Sequence, residues 1–389
     1  MISRWTRNLL NKLEGDRGIW LSILLLSAIS ALAVYSSTSE LALRFRDGHA
    51  EYYLTKHLTL MFIAWVVMYF VHKFDYRVFA RFGYLLLFIT IILLVYTLSQ
   101  GEKAEIHEAN RWISLFGQSF QPSDLAKLSL MIFLARILTE KQDIIKDFRR
   151  GFLPIIFWVC IICGLIAPAN LSTAVLIFST SLLIMYVAGV STRHILGLLI
   201  IGLIGVTVLM FTVKRGKTWQ NRLHDYVGRY MDPEYEPNYQ TQQANIAIAS
   251  GGVMGKGIGK SQQRNFLPHP YSDFVFAIII EEYGLILGGG GLLLLYLTIL
   301  IRSVAIVTVS KTFGALLAAG LSFLIVIQAL INMGVAVGLL PVTGLPLPMV
   351  SMGGTSLIFT GISFGIILSV SRRAIQEKQE VPEVTPVPA

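Results

Sequence analysis

The sequence predicts an all-α polytopic membrane protein of ten transmembrane helices with one large extracytoplasmic loop. Three observations predict it. Of the 389 residues, 54% are hydrophobic and only 14% are charged, whereas a soluble domain sits nearer half apolar and a quarter charged. The mean hydropathy is +0.65. Apolar runs recur along the whole chain, and crossing about 30 Å of hydrocarbon takes about 20 helical residues.

The runs lack period-two alternation, and a bilayer requires backbone polar groups to be satisfied internally, so helices rather than barrel strands are expected. They cover Trp20–Tyr35, Leu58–Val71, Gly83–Leu98, Leu125–Leu138, Phe152–Ala167, Ser172–Val190, Ile195–Val213, Phe274–Ile301, Phe313–Leu340 and Met349–Ser371. The second and fourth are short and must extend into their polar flanks. The first follows a basic segment, "MISRWTRNLLNKLEGDRG", which resembles a signal peptide. The later spans favour a retained anchor. The chain thus divides into a cytoplasmic segment 1–18, a membrane domain 19–373, and a disordered cytoplasmic tail 374–389 rich in Pro, Glu and Val.

The formal net charge is +9. In a soluble protein that would suggest nucleic acid. Here it fits lysines and arginines that hold cytoplasmic loops against anionic lipid. No nucleic-acid-binding module is visible, so membrane lipid and not nucleic acid is the expected partner. With a cytoplasmic N-terminus, the inside segments carry Arg4, Arg7, Lys12 and Arg17, then Lys73, Arg77 and Arg81, then Lys141, Lys146, Arg149 and Arg150. The short outside loops hold only Arg44, Arg46, Lys56, Lys103 and Arg111. Ten spans return the C-terminus to the cytoplasm. The loop from Lys214 to Ser272 then lies outside. Loops of this length tend to be functional, and "WQNRLHDYVGRYM" and "TQQANIAIASGG" read as helices within it.

Several motifs carry less than they promise. Cys160 and Cys163 form C-x-x-C inside the apolar run "FWVCIICGLI", which reads as two small buried core residues rather than redox chemistry. The seven histidines show no metal-ligand spacing. "GKGIGKS" resembles a phosphate-binding loop, but Met254 stands where the first glycine is required. Its glycines suit tight turns and close backbone approach, or a backbone nest for a phosphate. Gly288 to Gly291 and Gly353-Gly354 suit close helix contacts.

The ionisable residues near the outer ends of the spans carry more. Arg111 lies in "EANRWISLFGQSFQPSDLAKLSL", with Gln121, Ser123, Asp124 and Lys127 at the mouth of the fourth span. Pro122-Ser123-Asp124 reads as a helix start with Ser or Asp as cap. Lys127 sits about one turn inside an apolar helix, where a charge near the bilayer centre costs roughly 2.5 to 3.5 kcal/mol and less near the interface. It either snorkels outward or faces a polar cavity. Asp273 precedes the eighth span and reads either as its N-cap or as a functional acid. Glu281 and Glu282 lie deeper. At about 100° and 1.5 Å per residue, Glu281 is about 80° round from Asp273 and roughly 12 Å further in. At least one of the two glutamates should be hydrogen-bonded within the bundle. Cations beside an acid, opening toward lipid, suit a substrate both lipidic and anionic. Lysine and arginine clamp phosphates, and the acid could act as a general base.

At these residues the sequence resembles the SEDS family (shape, elongation, division and sporulation), the FtsW/RodA proteins. The resemblance rests on "NRWISL…QPSDLAKLSL", "NYQTQQANIAIASGGVMGKGIGKSQQRNFLPHPYSDFVFAIIIEEYG", "INMGVAVGLLPVTGLPLP" and "SMGGTS". It covers essentially all ten spans, and "GIGKSQQ" looks more like the division member, FtsW, than RodA. The resemblance implies a SEDS-type bundle and a peptidoglycan glycosyltransferase. Such an enzyme polymerises lipid II outside the membrane and releases undecaprenyl pyrophosphate. It implies Asp273 as the catalytic carboxylate, acting as general base, with Arg111, Lys127, Gln121, Ser123 and Glu281 at the substrate and its diphosphate. A class B penicillin-binding protein, a transpeptidase, and other division or elongation proteins are the expected partners. No cofactor is certain. A divalent cation, magnesium or manganese, is compatible with the substrate diphosphates, though no ligand set beyond Asp273 is visible. Asn170 departs from the family, which carries an acid at that place, and Met352 replaces a tyrosine. A lipid II flippase and a non-catalytic scaffold are the rival readings.

Overall fold

The computed structural model describes residues 14–38, 50–100, 111–115, 118–213, 215–232, 234–268, 270–307 and 313–380. The expected basic stretch 1–12, Arg44, Arg46, Lys103 and residues 381–389 lie outside the described residues.

The protein is an all-α, multi-pass membrane protein. Its helices run Arg17–Ser37 (α1), Ala50–Lys73 (α2), Arg77–Ser99 (α3), Pro122–Glu140 (α4), Leu153–Ile166 (α5), Leu171–Ala188 (α6) and Thr192–Thr212 (α7). After them come Gly216–Met231 (α8), Tyr239–Gly251 (α9), Val275–Gly284 (α10), Gly291–Val307 (α11), Phe313–Ala336 (α12) and Gly354–Glu380 (α13). The sequence explains several starts directly. The Asp16 carboxylate accepts from the N–H groups of Gly18 and Ile19 at 2.8 and 3.1 Å, and Asn170 caps α6 through the N–H of Thr173. Such side chains satisfy donors that a helix start leaves open. Both short runs do extend into their polar flanks, in α2 and α4.

Among the described residues, nine helical segments are long and apolar enough to cross a membrane, against the ten expected. The missing one is α4, which carries Asp124, Lys127, Arg136 and Glu140. Its physical reason is position. Fifteen of its 19 residues are buried, against α3, α5, α6 and α12. A helix sheathed by other helices need not be apolar toward lipid. α12 is equally central, whereas α7 is almost wholly exposed along its apolar length.

Three expected boundaries move. The eighth span is not one continuous helix. Gly284 takes φ 79°, and a wide turn over Leu285–Gly290 joins α10 to α11. The last span begins at Gly354, not Met349, leaving Gly338–Gly353 irregular between α12 and α13. Finally, α13 runs to Glu380, so residues 374–380 are helical where a disordered tail was expected. Both helices expected in the long loop are present as α8 and α9. Between α3 and α4 lies a two-stranded hairpin, Ile113–Leu115 (β1) and Gln118–Phe120 (β2), pairing Ile113 with Phe120. Cys160 is exposed on the outer side of α5. It is therefore not a buried core residue as expected, because an apolar helix at the bundle edge has a lipid-facing side.

Candidate active site

The irregular segment Gly338–Gly353 organises the site. Backbone outside helices at this depth needs partners, because an unpaired polar group among apolar side chains is costly. Side chains from four helices supply them. Arg222 and Tyr226 of α8 donate to the carbonyls of Val342 and Leu339 at 3.1 and 3.0 Å. Gln328 of α12 donates to the Pro346 carbonyl at 2.8 Å. Asn332 donates to the carbonyls of Leu345 and Asp273 at 2.8 and 2.9 Å. Tyr296 of α11 donates to Pro348 at 2.5 Å, and Ser30 of α1 to Val350 at 2.8 Å. The Ser351 hydroxyl closes the far end on the Ser272 carbonyl at 2.6 Å. Asp273 is thereby held from both sides.

Asp273 is not the helix cap. Phe274 occupies that position and α10 begins at Val275. The carboxylate accepts from the Ser272 hydroxyl at 3.1 Å and lies over Gly344, where a Cβ would be 3.5 Å from Oδ2. It shares its surroundings with Arg111 and Arg222, whose cations it favours.

Arg111 lies two residues before β1 of the hairpin. It donates through Nε to the Ala169 carbonyl at 2.7 Å, and Arg215 donates to the same oxygen at 3.0 Å. Burial first, then the like charges of Arg215 and Arg222, pushes Arg111 down to about 10, with Asp273 offsetting part of the effect. Arg222 is likewise lowered by burial, countered by Asp273 and reinforced by Arg215. Two cations thus flank one carboxylate and a third lies beside them, an arrangement completed by an anion. Arg215 and Arg222 were not singled out from sequence. The available signal was their place in the "KRGK" cluster and the amphipathic stretch "WQNRL" of the long loop.

Gln121 and Ser123 join Arg111 and Asn170 around a small pocket. Gln121 Nε2 donates to the Ser123 hydroxyl at 2.8 Å. Neither Ser123 nor Asp124 caps α4, contrary to expectation. Gln121 stands at the cap position without a side-chain bond, since Pro122 at the first turn already removes one open donor.

Lys127 neither snorkels nor faces the arginines. Its ammonium pairs with Asp124 at 2.8 Å and donates to Gln328 Oε1 at 3.1 Å. These groups line a neighbouring narrow cleft with Pro346 and Ser356. Lys127 reaches the Asp273 region only indirectly, through Gln328 and the irregular segment.

Glu281 stands apart from this cluster. It is fully buried and accepts from Lys256 Nζ at 2.7 Å, the Ser261 hydroxyl at 2.5 Å and the Gln262 N–H at 3.1 Å. Its neighbour Glu282 accepts from the Ser36 hydroxyl at the end of α1. Both carboxylates therefore anchor the long loop on the break in the eighth span. Sequence reasoning placed Glu281 at the substrate because depth along a helix does not reveal which partner returns from a distant loop. The glycine-rich stretch completes the anchor. A Cβ on Gly255 would lie 2.3 Å from the Glu282 carbonyl, and one on Gly251 2.3 Å from that of Ile280. The N–H groups of Lys256 and Gly257 donate to the carbonyls of Glu281 and Glu282. Close backbone approach, not a phosphate nest, is their role here.

Comparison with known proteins follows this geometry. A family model described as "Cell cycle protein" and named for FtsW, RodA and SpoVE matches residues 16–376. The chain is 35% identical to stage V sporulation protein E of Bacillus subtilis, over 90% of this chain and 94% of that one. It is 32% identical to a probable peptidoglycan glycosyltransferase FtsW of Geobacter sulfurreducens, over 92% and 95%. Among solved structures it resembles a chain from work on coordination of polymerization and crosslinking by a peptidoglycan synthase complex. That likeness has a TM-score of 0.72 and 26% identity, covering 93% of this chain and 99% of that one.

Proposed function

The chain belongs to the FtsW/RodA/SpoVE family of cell cycle proteins, and on that premise we propose that it polymerises lipid II into glycan strands at the outer face of the cytoplasmic membrane. It is a glycosyltransferase, the class named for its relatives. The observation that carries the reading is the grouping of Arg111 and Arg222 around Asp273, with Arg215 beside Arg111 on the Ala169 carbonyl.

Lipid II bears a diphosphate, a sugar pair and a polyprenyl chain. The attacking 4-hydroxyl of the acceptor sugar is a poor nucleophile. Asp273, as general base, takes its proton as the oxygen attacks the donor's anomeric carbon. The donor is α-linked and the product β-linked, so one inverting displacement suffices. The bond to the diphosphate breaks as the new glycosidic bond forms, and undecaprenyl pyrophosphate leaves. The arginines stabilise the charge that develops on it. Gln121 and Ser123 line the adjoining pocket and suit sugar or phosphate oxygens. Lys127 acts through Gln328 on the segment that carries Gly344. Among the described residues no three His, Cys, Asp or Glu side chains converge to hold a metal ion. A magnesium or manganese ion would be held between Asp273 and the substrate diphosphates, and the arginines supply the protein's own counter-charge.

The active site faces outward and both termini are cytoplasmic in this reading. A class B penicillin-binding protein is the proposed partner, supported by the peptidoglycan synthase complex that contains the similar chain. The "GIGKSQQ" form favours a division role over elongation. The test is purified protein in vesicles with lipid II, alone and with its transpeptidase. Glycan strands are expected. Lipid translocation without polymer would instead make the chain a flippase, and neither product would make it a scaffold.

A further inference from the structure

The helix α8 is amphipathic the wrong way round for a protein surface in water. At about 100° per residue, its side chains fall into three sectors. Arg222, Asp225 and Arg229 turn toward the protein. The latter two form an ion pair at 3.8 Å with side chains only 14% and 16% exposed, and Arg222 reaches the Val342 carbonyl. Lys217, Asn221 and His224 form a second, exposed polar sector. The third holds Leu223, Val227 and Met231, exposed by 44%, 41% and 81%, with the ring of Tyr230 beside them. Charges inside and aliphatic groups outside reverse the usual pattern of a water-facing surface helix.

The third sector continues an apolar surface that already needs lipid. α7 ends at Thr212 with Val208 and Phe211 exposed by 52% and 76%. The chain turns back tightly into α8. Gly216 packs so closely on the Met210 carbonyl that a Cβ there would lie 2.0 Å away, and Gln220 donates to that same carbonyl at 2.8 Å. The start of α8 is thereby tied to the end of a membrane span.

We infer that α8 lies in the plane of the membrane, with Leu223, Val227 and Met231 in the acyl boundary of the adjacent leaflet and Lys217, Asn221 and His224 in water. This is the arrangement expected of an interfacial helix. It makes α8 the lipid-side wall of the site, since the same helix carries Arg222 toward Asp273. The inference rests on the membrane-spanning architecture and is independent of the proposed reaction.

The test places single cysteines at Leu223, Val227, Asn221 and His224 in a full-length chain whose Cys160 and Cys163 are replaced by alanine. Each is labelled with an environment-sensitive nitrobenzoxadiazole dye. The protein is reconstituted alone into phosphatidylethanolamine and phosphatidylglycerol vesicles, with or without acyl-brominated lipid. Dye at 223 and 227 should emit at shorter wavelength, be quenched by brominated lipid, and resist iodide. Dye at 221 and 224 should show the opposite pattern. Iodide quenching at all four positions, or a blue shift at 223 and 227 only after a protein partner is added, would overturn the inference. Loss of polymerising activity alone would leave these signals unchanged, so the two readings fail separately.

Discussion

At the residue scale, the proposed chemistry depends on Asp273 and the cations around it. Asp273→Asn keeps the size and removes the base. General base catalysis is worth about 10²- to 10⁴-fold, so the variant should lose at least about 3 kcal/mol of barrier lowering. Lipid II polymerisation by the folded variant at near wild-type rate would exclude the assignment. The arginines make a second prediction. Arg111, pushed down to about 10 chiefly by burial, has a folded value below its unfolded one. The unfolded chain therefore holds that proton more tightly, and the unliganded fold is penalised at neutral pH, a penalty that fades as pH rises past about 10. A bound diphosphate reverses the balance. Pyrophosphate at 100 times its Kd should stabilise the protein by about 2.7 kcal/mol, read as a higher thermal midpoint at pH 7.5 and a smaller rise at pH 10.5. Arg215→Gln should weaken that response while leaving the unliganded midpoint unchanged or higher, because one of three like charges is gone. An unaltered response would remove Arg215 from the site.

At the element scale, the long loop is clamped to the broken eighth span by backbone contact and by the buried carboxylates of Glu281 and Glu282. Gly255 has φ 80° and no room for a Cβ against the Glu282 carbonyl. Gly255→Ala should therefore cost more than about 1 kcal/mol, since both strain and overlap oppose it. Glu281→Gln weakens the pairing with Lys256, Ser261 and Gln262, and should cost roughly 1–3 kcal/mol. Both variants should show a lower thermal midpoint and faster proteolysis within 251–268. Asp273→Asn should show neither change, which separates anchoring from catalysis. A Glu281→Gln protein of wild-type stability would contradict the anchoring role.

At the scale of the whole molecule, orientation is the outstanding prediction. Reporter fusions after Lys146 and after Gly228 should report opposite sides, with the second outside and a fusion at the C-terminus inside. A C-terminal reporter on the outer side would break the proposed topology. The fold class, most span positions and the two loop helices were legible in the chain. Burying apolar helices and ending them with caps are local acts, and local acts leave periodic or compositional marks. Four features were hidden: the sheathing of α4, the break at Gly284, the irregular segment Gly338–Gly353, and the pairing of Glu281 with the long loop. Each depends on partners far along the chain, such as Asn332 on Asp273 and Lys256 on Glu281. The sequence by itself determined that the chain crosses a bilayer many times and bears unpaid-for charge near one surface. Only tertiary structure decided which charges meet one another, because a buried ion is stabilised by whatever group packing brings within a few ångströms, and spacing along one helix does not specify that group.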